Sequence, residues 1–344
     1  MGRGFPDPTL FDSQLLSELA AKAVSSAPEV ALQYASNRGL ASLRQTLRDL
    51  IADTQGQVPA EDELIVTSGG VDALTLVTTA LADPGNAVLV EAPTYLGACA
   101  VFTANEAVPV AMRNDDEGLV PASLLDACET ARKQGAAPKF AYVIPDFQNP
   151  SGLLLSAKRR AELVAAAREA GVILVEDVAY RDLAFDGAYL PSIYELGPDV
   201  TVQVGTFSKT FTPGTRLGWA CGPEVIISAI AEVKTTTDQC ASALSQCMLN
   251  AYISEGHFTA GLPQIRAAYQ HRSDGRGHRP AGLSPARVPG LRTAGTVRPS
   301  GRGRHGSAGT VPPLNPVRRA RRRRHPSPAA LRLSGPRRHR RRGR

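Results

Sequence analysis

The chain has 344 residues, 43% of them hydrophobic, enough for a large core and, on length alone, about two domains. It has no run of about eighteen apolar residues to span a membrane, and its first residues, Met1 to Pro8, lack the apolar stretch of a secretory signal. The formal net charge of +7 conceals an asymmetry: residues 275 to 344 carry 20 arginines with no lysine and no acid, leaving 19 basic against 32 acidic residues in 1 to 274.

Residues 12 to 25 read as an amphipathic helix, with Leu15, Leu16, Leu19 and Ala23 at helical spacing. A polar loop from Leu32 to Gly39 holds Tyr34, which on its own reads as a half-buried packing residue. Leu40, Leu43, Leu47 and Ile51 mark a second helix. Leu64-Ile65-Val66-Thr67 is a short buried strand, followed by Ser68-Gly69-Gly70 and a helix from Val71 to Leu81 that stops at Asp83-Pro84-Gly85. A strand, a glycine turn and a helix N-terminus together make an anion site from backbone N–H groups and the helix dipole, although many α/β turns share the pattern.

The next strand, Ala87-Val88-Leu89-Val90, ends at Glu91-Ala92-Pro93-Thr94-Tyr95. Tyr95 follows a strand end, where ligands of open α/β sheets bind. It suits stacking on a flat ring, and equally suits plain packing. Phe140 to Ile144 is another buried strand, and it runs into Pro145-Asp146-Phe147-Gln148-Asn149-Pro150-Ser151-Gly152. Asn149 there is either a donor to a ring oxygen or an ordinary turn former before proline. Ser156 caps a helix that runs to Ala170 and stops at Gly171.

Val172 to Val175 is apolar on both faces, hence central and parallel. It leads into Glu176-Asp177-Val178-Ala179-Tyr180. An acid at the end of a buried strand needs a cation, either a protonated ring nitrogen or an arginine. Val202 to Gly205 is the strand that delivers Thr206 to Lys209. Helical sequence follows through residues 223 to 272, broken near Ser254-Glu255-Gly256. Strands alternating with helices argue for a doubly wound α/β domain. The five cysteines, Cys99, Cys128, Cys221, Cys240 and Cys247, form no Cys-x-x-Cys pair. That favours free thiols in a reducing cytoplasm, and no metal site is assigned.

The segment 205 to 219 carries the densest chemistry. Lys209 stands among Thr206, Ser208 and Arg216. Hydroxyls and a guanidinium around one lysine suit a phosphate whose neighbouring aldehyde the amine can attack to form a Schiff base. Ser-Lys-Thr is also a common surface sequence, so the context has to decide.

Taken together, the segments resemble the class I/II, fold-type I pyridoxal-phosphate aminotransferases. Within them they are similar to 2-aminoadipate aminotransferase-like enzymes and to the aminotransferase domains of MocR-type regulators. The resemblance rests on Phe5 to Phe11, Gln33-Tyr34, Thr67-Ser68-Gly69, Glu91 to Tyr95, Gln148 to Gly152, Glu176-Asp177-x-x-Tyr180, Gly205 to Lys209 and Pro213-Gly214-x-Arg216-Leu217-Gly218-Trp219. These segments cover residues 4 to about 274 in family order.

The resemblance implies a mainly parallel seven-stranded sheet with helices on both faces, plus a small domain that is incomplete here. It divides the chain into an N-terminal segment (1–33), a cofactor-binding large domain (34–256), the start of a linker helix (257–274) and an Arg/Gly/Pro-rich tail (275–344). It also implies pyridoxal 5'-phosphate as cofactor, an amino acid and a 2-oxo acid as substrates, and a homodimer. Lys209 would carry the internal aldimine and act as base. Asp177 would pair with the ring nitrogen, Asn149 and Tyr180 would bond the ring's phenolic oxygen, and Tyr95 would stack on the ring. The turn of Ser68, Gly69, Gly70 and Val71 would join Thr206, Ser208 and Arg216 on the phosphate. Tyr34 would reach the neighbouring subunit's phosphate, and Gly4 and Asn149 would lie at the substrate.

The match stops near Asp274. The following residues have 20 Arg, 11 Gly, 10 Pro and no aromatic residue, a composition that cannot offset its ordering entropy. The tail therefore reads as disordered, or as a translation shifted out of frame. Re-reading the coding DNA near codon 274 tests the second idea. A nucleic-acid-binding arm is the weaker reading, since a natural arm uses lysine as well. The alternatives carried forward are a β-lyase on the same fold and a catalytically impaired remnant with a basic tail. With no winged-helix segment before Gly4, a DNA-binding MocR-type regulator is not expected.

Overall fold

A computed structural model describes residues 6–274, all within one compact unit. The expectations for Gly4 and for the 275–344 tail lie outside the described residues. In chain order the elements are α1 (Ser13–Ser26), α2 (Pro28–Ala31), α3 (Ala41–Gln55), β1 (Leu64–Thr67), α4 (Gly70–Leu81), β2 (Ala87–Ala92), α5 (Leu96–Ala104), β3 (Val108–Asp115), β4 (Gly118–Leu119) and α6 (Ser123–Lys133). They continue with β5 (Pro138–Val143), α7 (Ala157–Ala170), β6 (Ile173–Asp177), α8 (Ile193–Leu196), β7 (Thr201–Thr206), β8 (Gly218–Cys221), α9 (Glu224–Thr236), α10 (Ala243–Ser254) and α11 (His257–Asp274).

The strands form one sheet in the order β1-β8-β7-β6-β5-β2-β3-β4. Neighbours from β7 to β3 pair in parallel, while β8 runs antiparallel between β1 and β7. This is the expected seven-stranded, mainly parallel sheet with a two-residue edge strand, β4, added by a hairpin from β3. Parallel strands buried on both faces read as unbroken apolar runs, which is why β1, β2, β5 and β6 are apparent in the sequence. β3 is a half-exposed strand with alternating polar residues, and β8 is a four-residue Gly-Trp-Ala-Cys run. Neither declares itself by composition. The helical stretch after residue 223 breaks at Gly256 as expected. It also breaks a second time between α9 and α10, where Gln239 takes a left-handed φ of 64° and Ser242 caps α10 through the Ser245 N–H.

Three apolar clusters hold the layers. On one face α4, α5 and α9 pack Leu76, Phe102 and Ile230 on Ile65, Val88 and Val204. On the other α6 and α7 pack Leu124 and Leu163 on Leu89, Val143 and Leu174. A third cluster joins α3, α10 and α11 to β1 and β8 through Leu43, Leu47, Leu249, Phe258 and Trp219. Among the described residues no helix is long and apolar enough to cross a membrane, and all five cysteines are free.

The loop after β5 is held by charge. Arg160 on α7 is fully buried and donates to Asp146 at 2.7 Å, and also to the carbonyls of Leu155, Pro145 and Pro191. Arg181 reaches the other Asp146 oxygen at 3.3 Å. Arg160→Met therefore removes the guanidinium bonds to three carbonyls and to one oxygen of a buried carboxylate, with Pro145 alone of the three keeping a second donor, the Leu155 N–H. A loss of about 3 to 5 kcal/mol is expected, the range for breaking a buried pair from one side. Urea unfolding of the variant and the parent measures it.

Candidate active site

Strand ends deliver the site, as the sheet's parallel core requires. The turn after β1, the loop after β5, the end of β6 and the end of β7 enclose a cavity of about 450 Å3. Gly70, Val71, Tyr95, Asn149, Asp177, Tyr180, Thr206, Ser208, Lys209 and Arg216 all line it, so ten of the expected side chains and turn residues converge.

One end of the cavity is built for an anion. The N-terminus of α4 carries no side-chain cap, so its first N–H groups and its dipole face the cavity. Thr206 Oγ1 and Ser208 Oγ lie 3.0 Å apart beside it, and the Ser208 N–H donates to Thr206 Oγ1. Arg216 sits in the left-handed region at φ 52°, which turns its guanidinium onto Gly69. Gly69 itself has φ +98°, and a Cβ there would fall 2.7 Å from Arg216 Nη2. Only glycine allows that approach.

Ser68 departs from the expectation. Its N–H donates to Asp72 Oδ2 at 2.8 Å and its hydroxyl to the Asp238 carboxylate. Both donors therefore shape the turn, and neither lines the cavity. Behind them Lys234, fully buried in the last turn of α9, stands 2.7 Å from both Asp238 oxygens and 3.5 Å from Asp72. This clamp holds the anion turn from behind.

The other end holds a carboxylate and an amine. Asp177 Oδ2 accepts from the Tyr142 hydroxyl at 2.7 Å and Oδ1 from the Ala179 N–H at 3.0 Å, so the arginine that its sequence position allowed is not its partner. Burial pushes the Asp177 carboxyl up, against the opposing pull of those two bonds and of the Lys209 charge. Burial likewise pulls the Lys209 amine below the ordinary lysine value, and the Arg216 charge adds to this while Asp177 resists it. Lys209 Nζ lies 5.8 Å from the Tyr180 ring centroid. The Tyr180 hydroxyl, pushed up mainly by burial, contacts the Asn149 side chain. Tyr34, by contrast, is 79% exposed and lines no part of this cavity.

A buried carboxylate, a desolvated lysine and an anion nest are thus arranged along one cavity. The donor set fits a flat group with a phosphate at one end and a protonated ring nitrogen at the other. Tyr142, Asp72, Asp238 and Lys234 escape sequence reasoning. Tyr142 is paired with Val175, two residues before Asp177 on the neighbouring strand, so its role emerges only from the register.

The family model for aminotransferase class I and II matches residues 7–275. The chain is 34% identical over 279 residues to the 2-aminoadipate transaminase of Thermus thermophilus, covering 80% of this chain and 67% of that one. It is 31% identical over 272 residues to the aromatic-amino-acid aminotransferase 1 of Thermococcus litoralis, covering 79% of this chain and 65% of that enzyme. The crystal structure of LysN, the alpha-aminoadipate aminotransferase of Thermus thermophilus complexed with N-(5'-phosphopyridoxyl)-L-leucine, superposes with a TM-score of 0.71 at 33% identity, covering 79% of this chain and 68% of that one. The chain thus spans about two thirds of the length of these relatives. It belongs to the class I and II aminotransferases, a family whose cofactor is pyridoxal phosphate.

Gly69→Ala is expected to drive the Arg216 guanidinium from the turn and weaken pyridoxal-phosphate binding about tenfold or more, as for a lost charged hydrogen bond. Gly56→Ala, at a φ of +68° with nothing within 4 Å of the added carbon, should leave affinity unchanged. Spectrophotometric titration of both variants measures the difference.

Proposed function

We propose that this chain binds pyridoxal 5'-phosphate and transfers an amino group from an L-amino acid to a 2-oxo acid. The observation that carries the reading is the joint placement of Lys209, Asp177 and the anion nest along one cavity. When bound, the cofactor supplies a carbonyl that takes up the substrate's amino group and a ring that accepts the electron pair left on Cα.

The chain's own residues do the rest. The N–H groups of Gly70 and Val71, with Thr206, Ser208 and Arg216, would hold the phosphate by charge-assisted bonds. Asn149 and Tyr180 would donate to the ring oxygen, Tyr95 would lie against the ring, and Asp177 would keep the ring nitrogen protonated. Lys209 would hold the carbonyl end of the cofactor and, when its amine is free, would serve as general base and then acid for the Cα proton. Its depressed pKa suits that task, because a neutral amine is available closer to neutral pH.

In this reading residues 34–256 form the cofactor-binding domain, α11 begins the linker to a second domain, and two copies pair so that the exposed Tyr34 reaches the partner's phosphate. Gly4 would lie at the substrate carboxylate. The free thiols support a cytoplasmic setting.

Purified chain with added pyridoxal phosphate should show a visible band, and borohydride should fix the cofactor on the Lys209 peptide. Lys209→Ala should lose both signals, and amino acids should convert the parent's band to that of the aminated cofactor. A band that no amino acid alters would remove the transferase reading while leaving the cofactor site. The pH dependence follows from the neutral amine being the nucleophile. The rate of cofactor capture should rise with pH and level off below the ordinary lysine value of 10.5. Asp177→Asn, which removes the charge that holds the proton on Lys209, should move the plateau lower still, as read by stopped-flow absorbance across pH.

A further inference from the structure

The underside of Asp177 carries a residue with no place in the roles above. Tyr142 on β5 is fully buried, and its hydroxyl donates to Asp177 Oδ2 at 2.7 Å. The strand register explains how it gets there. Tyr142 pairs with Val175, and Val175 and Asp177 share a face two residues apart on β6. The ring is fixed by an edge-on contact with Phe102, 5.5 Å between centroids at 72°. Phe102 also meets Phe140 edge-on at 5.6 Å.

Packing alone would be met by phenylalanine in this apolar cluster. A hydroxyl buried there is costly unless it is bonded, and its bond goes to the one carboxylate that faces the cavity. The second buried carboxyl nearby, Glu91, accepts from the Ile144 N–H at 2.9 Å. Burial pushes its pKa up to about 8. Glu91 thus serves the backbone of the neighbouring loop, while the Tyr142 hydroxyl serves Asp177.

We propose that Tyr142 is a positioning residue: through its bond to Asp177 Oδ2 it keeps that carboxylate ionised and aimed at the ring nitrogen of the bound cofactor. The inference rests on the cofactor reading above. It assigns Tyr142 no contact with substrate or cofactor, and its effect passes through Asp177 alone.

The test compares dissociation constants for pyridoxal phosphate and for its analogue with carbon in place of the ring nitrogen, on the full chain. Parent protein should prefer the natural cofactor. Tyr142→Phe should lose about tenfold of that preference, the scale of one charged hydrogen bond, with the analogue's affinity held within about twofold. In an Asp177→Asn background, Tyr142→Phe should change the preference no further. Equal losses for both ligands, or no loss for either, would overturn the proposal, because a packing role has no access to the nitrogen. Should Tyr142→Phe fail to fold by circular dichroism, 3-fluorotyrosine at position 142 decides. It keeps the shape and strengthens the donor, so the preference should match or exceed the parent's, and a drop would refute the proposal. If the parent bound neither ligand, the cofactor reading itself would fall, and the inference with it.

Discussion

The structure turns on a buried charge. Asp177 stands at the end of a central strand, where burial raises its pKa and where an unpaired carboxylate costs several kcal/mol. The chain answers with two hydrogen bonds, from Tyr142 and Ala179, and with the nearby Lys209. Lys209 is itself desolvated, and burial lowers its pKa in turn. Burial thus disfavours the charged form of each, and a ligand that brings a protonated nitrogen to Asp177 and a carbonyl to Lys209 would relieve both.

Such relief requires the ligand to sit at one height in the cavity, and the anion end sets that height. Gly69 and Arg216 interlock so closely that no side chain fits between them. Ser68 directs both of its donors backwards, into aspartates that Lys234 neutralises. The turn is thus fixed from the side away from the ligand, and its free N–H groups point forward without rearranging. Preorganised donors cost no reorganisation when charge arrives, and displacements of about 1 Å in such sites are costly. A buried lysine–aspartate cluster adds little net stability, so its value here lies in geometry.

Much of this was legible in the sequence, for a physical reason. Central parallel strands are apolar on both faces, so β1, β2, β5 and β6 stand out, and the residues just beyond each strand end are the ones that reach the cavity. Gly70, Asn149, Asp177, Thr206, Ser208 and Lys209 stand out in that way. The missed elements lack the signal. β8 is short and opens on Gly218, opposite Thr67 and Thr206, where tertiary pairing with β1 and β7 overrides weak local preference. The missed residues act across the chain: Tyr142 meets Asp177 from 35 positions away, and Lys234 meets Asp72 from 162. No spacing rule reaches that far. Ser68 reads from the sequence as one member of the cofactor-binding turn. Only the positions of Asp72 and Asp238 reveal that it faces backwards.

The two loops that carry Tyr95 and Asn149 are joined in the same manner. Gln148 Nε2 donates to the Pro93 carbonyl at 2.7 Å, while its Oε1 accepts from the N–H and hydroxyl of Ser151. Glu91 holds the Ile144 N–H at the root of the same loop. Tyr95 and Asn149 therefore sit on two arms of one hydrogen-bonded unit, and neither can shift without the other. The unit is anchored below by Asp146 between Arg160 and Arg181. Tyr95, Asn149 and Asp177 are thus each carried by segments that buried polar bonds tie to the scaffold. Fully satisfied networks of this kind rigidify a site. The described part of the chain carries the geometry of this cavity in its scaffold.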